Sequence, residues 1–350
     1  MAGAVILPHI FATLANTPPT PMQFLDDNFN ALNNALGALS TGIAPPGGRL
    51  TLTSQTPVLT ADVTGASHIY YDSFNGFSVP IWNGTTWISY PIPGNEISMG
   101  LAAANFVSGS NYDIFCVVVS GGLAIGIGPA WAGQFTRGSG GGSTQISITN
   151  GFWANTNALA TLFGGPLGTT NLGPIAAGQA TYLGSAVATG SGTTQMNVTR
   201  QASTGGTNPS IGLYNAYNRV PMSVGSSDAT ANWTYSTATW RSANNSNLNR
   251  VNWIDGLGNL GVQADYIIQA GNSSGTGGEN IGIDYNNNTS TPGQLQGAAG
   301  GLNAVQLTAM VTQGGGLGYN FFQAMEYTVS GTATFVSGSV NSILLLTGNF

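Results

Sequence analysis

The chain has 350 residues, 42% of them hydrophobic and 9% aromatic, which is enough apolar mass for two or three cores and unlike a disordered chain. Only 5% are charged (six Arg, nine Asp, three Glu and no lysine), against about 25% in an ordinary soluble domain. Six cations at a net charge of −6 make no basic patch, so nucleic acid is not an expected ligand. No run of about 18 apolar residues exists, so membrane insertion is not expected either.

Residues 1–19 form an apolar arm. The stretch lacks the cationic start of a signal peptide, and Pro8 and His9 interrupt it, so docking on another protein is the reading taken. Residues 20–40 then read as a helix. Thr20 is an N-cap, Pro21 takes the first helical position and Gln23 completes a capping box. Asp26 and Asp27 fall where the helix dipole favours anions. Met22, Leu25, Phe29, Leu32, Leu36 and Leu39 recur at spacings of 3 and 4, which is a short heptad seam. Such a helix could pack on its own domain, or form an inter-subunit coiled coil or docking helix. Its position between an apolar arm and the Pro/Gly linker at 41–48 favours the second, with the seam as the oligomerisation surface.

From Arg49 onward the chain reads as β. Leu50 to Thr53 alternates, and His68 to Tyr71 and Val79 to Trp82 flank Asn75-Gly76. Trp82 and Trp87 bracket Asn83-Gly84, a strong hairpin signal. Further strands are expected at 112–119, 123–127, 144–149 and 180–188, closing a first module over 49–189. A second module over 190–350 holds expected strands at 195–199, 211–219, 233–240, 251–255, 264–270, 280–285, 319–329, 332–336 and 341–346. Gly-rich turns at sandwich-like spacing separate them. A second helix is expected over 298–311. The fold class is therefore mainly β: a short heptad helix followed by two modules of β-sandwich or jelly-roll type.

Catalytic chemistry has few candidates. His9, His68 and Cys116 are too few for a metal centre, and Cys116 in its apolar run reads as a small buried hydrophobe. No Gly-x-Ser-x-Gly elbow lies between a strand and a helix. Glycoside hydrolysis needs two carboxyl groups flanking one bond. Asp228, Asp255, Asp265, Glu279, Asp284 and Glu326 supply carboxyl groups, but no spacing pairs them, and Asp228-Ala229 and Asp255-Gly256 look like turn caps. The stretch from Asp284 starts like a calcium loop but has Thr289 and Leu295 where Gly and Glu belong. Trp233, Tyr235 and Trp240, or Tyr214 and Tyr217, could stack on sugar rings or fill a core. No enzyme activity and no cofactor are expected.

The stretch Gly48-Arg49-Leu50-Thr51-Leu52-Thr53-Ser54 through Pro57-Val58 and Asp62 to Ala66, then Ile69-Tyr70-Tyr71 and Val79 to Trp82, resembles a segment of phage and prophage structural proteins. Gly128 to Trp131 and Tyr217 to Val220 are similar to the same group. The resemblance implies a bacteriophage tail-fibre-like virion protein, homotrimeric, attached to other virion proteins through residues 1–40 and exposed on the particle. Host-surface polysaccharide is the contact expected of the distal module. A capsid decoration or head-fibre protein and a polysaccharide-degrading tail spike are the alternatives.

Overall fold

Short alternating segments punctuated by Gly, Asn and Ser build strands from Gly48 onward, and the computed structural model is mostly β. It describes residues 42–202, 208–274, 277–289, 294–299, 304–337 and 342–350. The expected arm at 1–19, the helix at 20–40 and its seam residues lie outside them. The described residues hold no α-helix, only two 3-10 turns at Pro93–Asn95 and Ala243–Asn245.

A three-stranded sheet runs Gly48–Thr51, His68–Ser73, Glu96–Gly100. Leu50 stands opposite Tyr71, and both are buried. Residues directly opposite share a face, so Arg49, Asp72 and Glu96 line the other side. Ser78–Trp82 and Trp87–Pro91 form the expected hairpin, with Trp82 opposite Trp87. Asn83 Oδ1 accepts the N–H groups of Thr85 and Thr86, each at 2.8 Å, which closes the turn.

Three larger sheets follow. In the first, Asn111–Val119 lies between Gly122–Ile127 and Thr181–Val187, and Thr181–Val187 pairs on its other side with Phe152–Asn155 and Leu213–Asn215. The second runs Val63–Ala66, Thr194–Met196, Ser210–Ile211, Arg250–Asp255, Gly318–Thr328, Gly278–Tyr285, Gln294–Ala299. Opposite it, a seven-stranded sheet centres on Val262–Asn272, flanked by Ile343–Asn349 and Ala333–Val336 on one side and Val305–Gln313 on the other. Trp253, Phe322 and Ile281 of one sheet and Tyr266, Ile268 and Leu346 of the other share a hydrophobic core. Period-two alternation puts Val262, Ala264, Tyr266, Ile268 and Ala270 inward.

Two expectations are corrected. Residues 305–311 are strand, not helix: Val305–Gln313 pairs in register along nine residues of its neighbour. Buried Leu307 and Ala309 show that the operative period is two, and the adjoining Gly300-Gly301 removes helix propensity. The end of the expected linker is also part of the fold. Pro46, Gly47 and Gly48 are buried, and Gly47 N–H donates to Ser78 O at 2.9 Å. A Cβ on Gly47 would fall 2.5 Å from the Gly76 carbonyl carbon, so only glycine permits that approach. Strands on either side of residue 190 also share sheets: Val63–Ala66 pairs with Thr194–Met196, and Thr181–Val187 with Leu213–Asn215.

Candidate functional site

The charged residues are drawn inward. Among the described residues Arg200 is the only exposed charged one; every other is buried or half-buried. Arg137 chelates Asp113, which is fully buried, with Nε to Oδ2 at 2.6 Å and Nη2 to Oδ1 at 2.9 Å. Its guanidinium lies 4.3 Å from the Trp131 ring centroid and also donates to the Gly256 carbonyl. Ser185 Oγ donates to Asp113 Oδ1 at 2.7 Å. Burial alone would lower the Arg137 pKa; Asp113, together with Tyr182 and Tyr214, raises it on balance.

The carboxylates of the second half are structural in geometry. Asp255 accepts four backbone N–H groups, from Leu257, Gly258, Asn259 and Leu260, so the expected turn cap is there. Asp228 accepts from Thr230 N at 2.8 Å and from Asn249 Nδ2 at 2.7 Å. Asp265 accepts from Gln263, and Asp284 from Tyr285 N. Glu326 accepts Trp233 Nε1 and Arg241, each at 2.6 Å; burial raises its pKa and these two donors moderate the rise. Burial also raises Glu279. Among the described residues no group of three His, Cys, Asp or Glu could hold a metal.

One facing carboxyl pair was invisible in the spacing. Asp72 and Glu96 stand directly opposite each other on neighbouring strands. Burial, then the charge of Glu96, push the Asp72 carboxyl up to about 7. Asp72 is 2% exposed. Glu96 Oε2 anchors the covering loop through Ser54 Oγ at 2.6 Å and Gln55 N at 2.8 Å. A pair closed over in this way offers no room for a glycosidic bond between its members.

The aromatics expected to stack on sugars are mostly core. Trp233 stacks on Phe335 at 5.9 Å, Tyr235 carries Arg241 over its ring at 3.8 Å, and Tyr214 is fully buried. Trp240 is half-buried and packs on Tyr327, and the Tyr217 hydroxyl accepts the Trp153 N–H.

A concavity lies in the first half. It has a volume of about 500 Å³, lies between the hairpin at 78–91, the end of Asn111–Val119 and residues 172–179, and is lined by Trp82, Asn83, Tyr90, Ser120, Pro174 and Gln179 among others. Trp82 is held by an edge-on contact to Trp87 at 5.6 Å, and Trp87 by Phe152 at 5.0 Å. Thr181 Oγ1 donates to Pro80 O and ties the hairpin to the sheet.

No family model matches the chain, and no curated protein matches it. Among solved structures it is similar to the Eiger TNF structure from S. frugiperda, at 9% identity and a TM-score of 0.24 over 37% of this chain and 92% of that one. It is also similar to a Cry1Da tryptic core variant and to the insecticidal delta-endotoxin Cry8Ea1, both from Bacillus thuringiensis, each at 9% identity and a TM-score of 0.20. These alignments cover 90% and 89% of this chain, which spans about half the length of each toxin structure (54% and 55%). Such TM-scores do not define a shared fold.

Proposed function

We propose that this chain is a non-enzymatic structural protein of a bacteriophage virion, a homotrimeric fibre built from two β-sandwich or jelly-roll-like modules. Residues 1–40 attach it to neighbouring virion proteins, with Met22, Leu25, Phe29, Leu32, Leu36 and Leu39 as the seam between subunits. The distal module projects from the particle towards the host surface.

The observation that carries this reading is the sparsely charged exterior. With Arg200 the only exposed charged residue among those described, the surface consists of hydroxyls, amides, glycine backbone and scattered apolar groups such as Phe77 and Leu167. Covering such a surface with another chain desolvates few ions, which lowers the largest penalty on burial. A solitary soluble protein usually keeps net charge on its exterior to resist association. The resemblance of residues 48–82, 128–131 and 217–220 to phage structural proteins supports the same reading.

Deletion of residues 1–19 tests the attachment. The truncated chain is expected to fold and to be absent from assembled particles; its incorporation at the normal level would overturn the anchoring role. Gold-labelled particles in the electron microscope separate a tail fibre from a head-fibre or decoration protein. A reducing-end assay on host capsule or lipopolysaccharide separates both from a degrading spike.

A further inference from the structure

We propose that the cleft beside Trp82 binds a neutral saccharide. The inference rests on the chemistry of the cleft and stands whether or not the chain is a fibre.

The volume, about 500 Å³, is that of a small-ligand site. No Asp, Glu, Arg or His lines it. A charged ligand would therefore lose water without gaining a counter-charge, and a phosphate backbone would find no cation. A purely apolar ligand fits no better, because polar groups with unused hydrogen-bonding capacity face the cleft. Asn83 Oδ1 is taken by the Thr85 and Thr86 N–H groups, so the turn fixes the side chain and leaves Nδ2 as a positioned donor. The Gln179 amide and the Tyr90 hydroxyl, both in the lining, have no hydrogen-bond partner among the described residues.

A sugar ring matches this combination. Its axial C–H faces are apolar and pack on an aromatic ring, while its equatorial hydroxyls both donate and accept. Trp82 supplies the first surface, and Asn83 Nδ2 and the Gln179 amide supply partners for the second. The aromatic platform is already held in place by Trp87 and Phe152, so little ordering is lost on binding. The absence of carboxyl groups from the lining makes this a binding site without hydrolytic machinery.

The test titrates the full chain with glucose, galactose, mannose, rhamnose and N-acetylglucosamine, and with glucuronate and sialic acid as anionic controls. Tryptophan fluorescence and saturation-transfer NMR report binding. At least one neutral sugar is expected to saturate in the millimolar range, with the anionic sugars about tenfold weaker or worse. Trp82→Ala is expected to weaken that sugar about tenfold or more. Asn83→Asp keeps the Oδ1 cap of the turn, removes the Nδ2 donor and adds a charge. It is expected to weaken binding about threefold to tenfold at an unchanged melting temperature. No saturable binding of any neutral sugar, equal binding of the anionic ones, or an unaffected Asn83→Asp variant would each overturn the proposal. Because the measurement is made on the purified chain, its failure leaves the assembly reading intact, and a monomeric chain that binds sugar leaves this one intact.

Discussion

Arg137 holds Asp113 through two parallel hydrogen bonds, at 2.6 and 2.9 Å, and donates with the same guanidinium to the carbonyl of Gly256. Asp113 sits in the middle of the first large sheet, and Gly256 opens the turn after Arg250–Asp255 in the second. One cation thus satisfies a fully buried carboxylate and pins the two halves together. Removing one partner of a buried pair costs more than the pair contributes, because the other charge is stranded. Arg137→Met is predicted to lower unfolding stability by about 3–5 kcal/mol in urea denaturation. Adding Asp113→Asn should recover part of that loss, and simple additivity of the two changes would contradict the pairing.

Gly256 is required on steric grounds. A Cβ there would collide with Tyr182 Oη and Ser185 Oγ, both part of the hydrogen-bonded group around Asp113. Gly256→Ala is predicted to cost about 1–3 kcal/mol, the usual range for overpacking. An alanine variant as stable as the parent would show that the turn and Tyr182 are not in contact.

These two contacts also show what the chain discloses before it folds. The hairpin at Trp82–Trp87 and the caps by Asp228 and Asp255 were readable, because each depends on residues within a few positions of one another. Arg137 with Asp113, Asp72 with Glu96, and Trp82 with Gln179 were not, because strand register and the loops between strands bring them together from 24 to about a hundred residues apart. The expected helix at 298–311 failed for a related reason. Its apolar residues satisfy both periods, and only the neighbouring strand Val262–Asn272 decides between them.

Asp72 makes the fold sensitive to pH with a defined sign. Its folded pKa of about 7, raised by burial and by Glu96, exceeds the ordinary carboxylate value. Between that value and pH 7 the folded chain keeps a proton that the unfolded chain releases, so stability falls as pH rises through this window. Arg49, on the same face, is lowered by burial only to about 10 and does not titrate there. Asp72→Asn is predicted to match the parent in melting temperature near pH 4 and to exceed it near pH 7.5. Glu279 and Glu326 are raised as well, but they act equally in both proteins and cancel in the difference. Parallel melting curves across the window would contradict the assignment.

Cys116 is fully buried, and burial pushes its thiol pKa well up. The native chain is predicted to resist a thiol reagent at pH 8, and the unfolded chain to react with one equivalent. Rapid labelling of native protein would place Cys116 outside the core.

In the proposed trimer the sparsely charged exterior is covered by other copies of the chain. Light scattering on the purified full chain tests it most directly. The predicted result is a mass three times that of one chain, unchanged between low salt and about 1 M salt, because the buried surfaces carry almost no ions to screen. A single-chain mass at every concentration would contradict the claim.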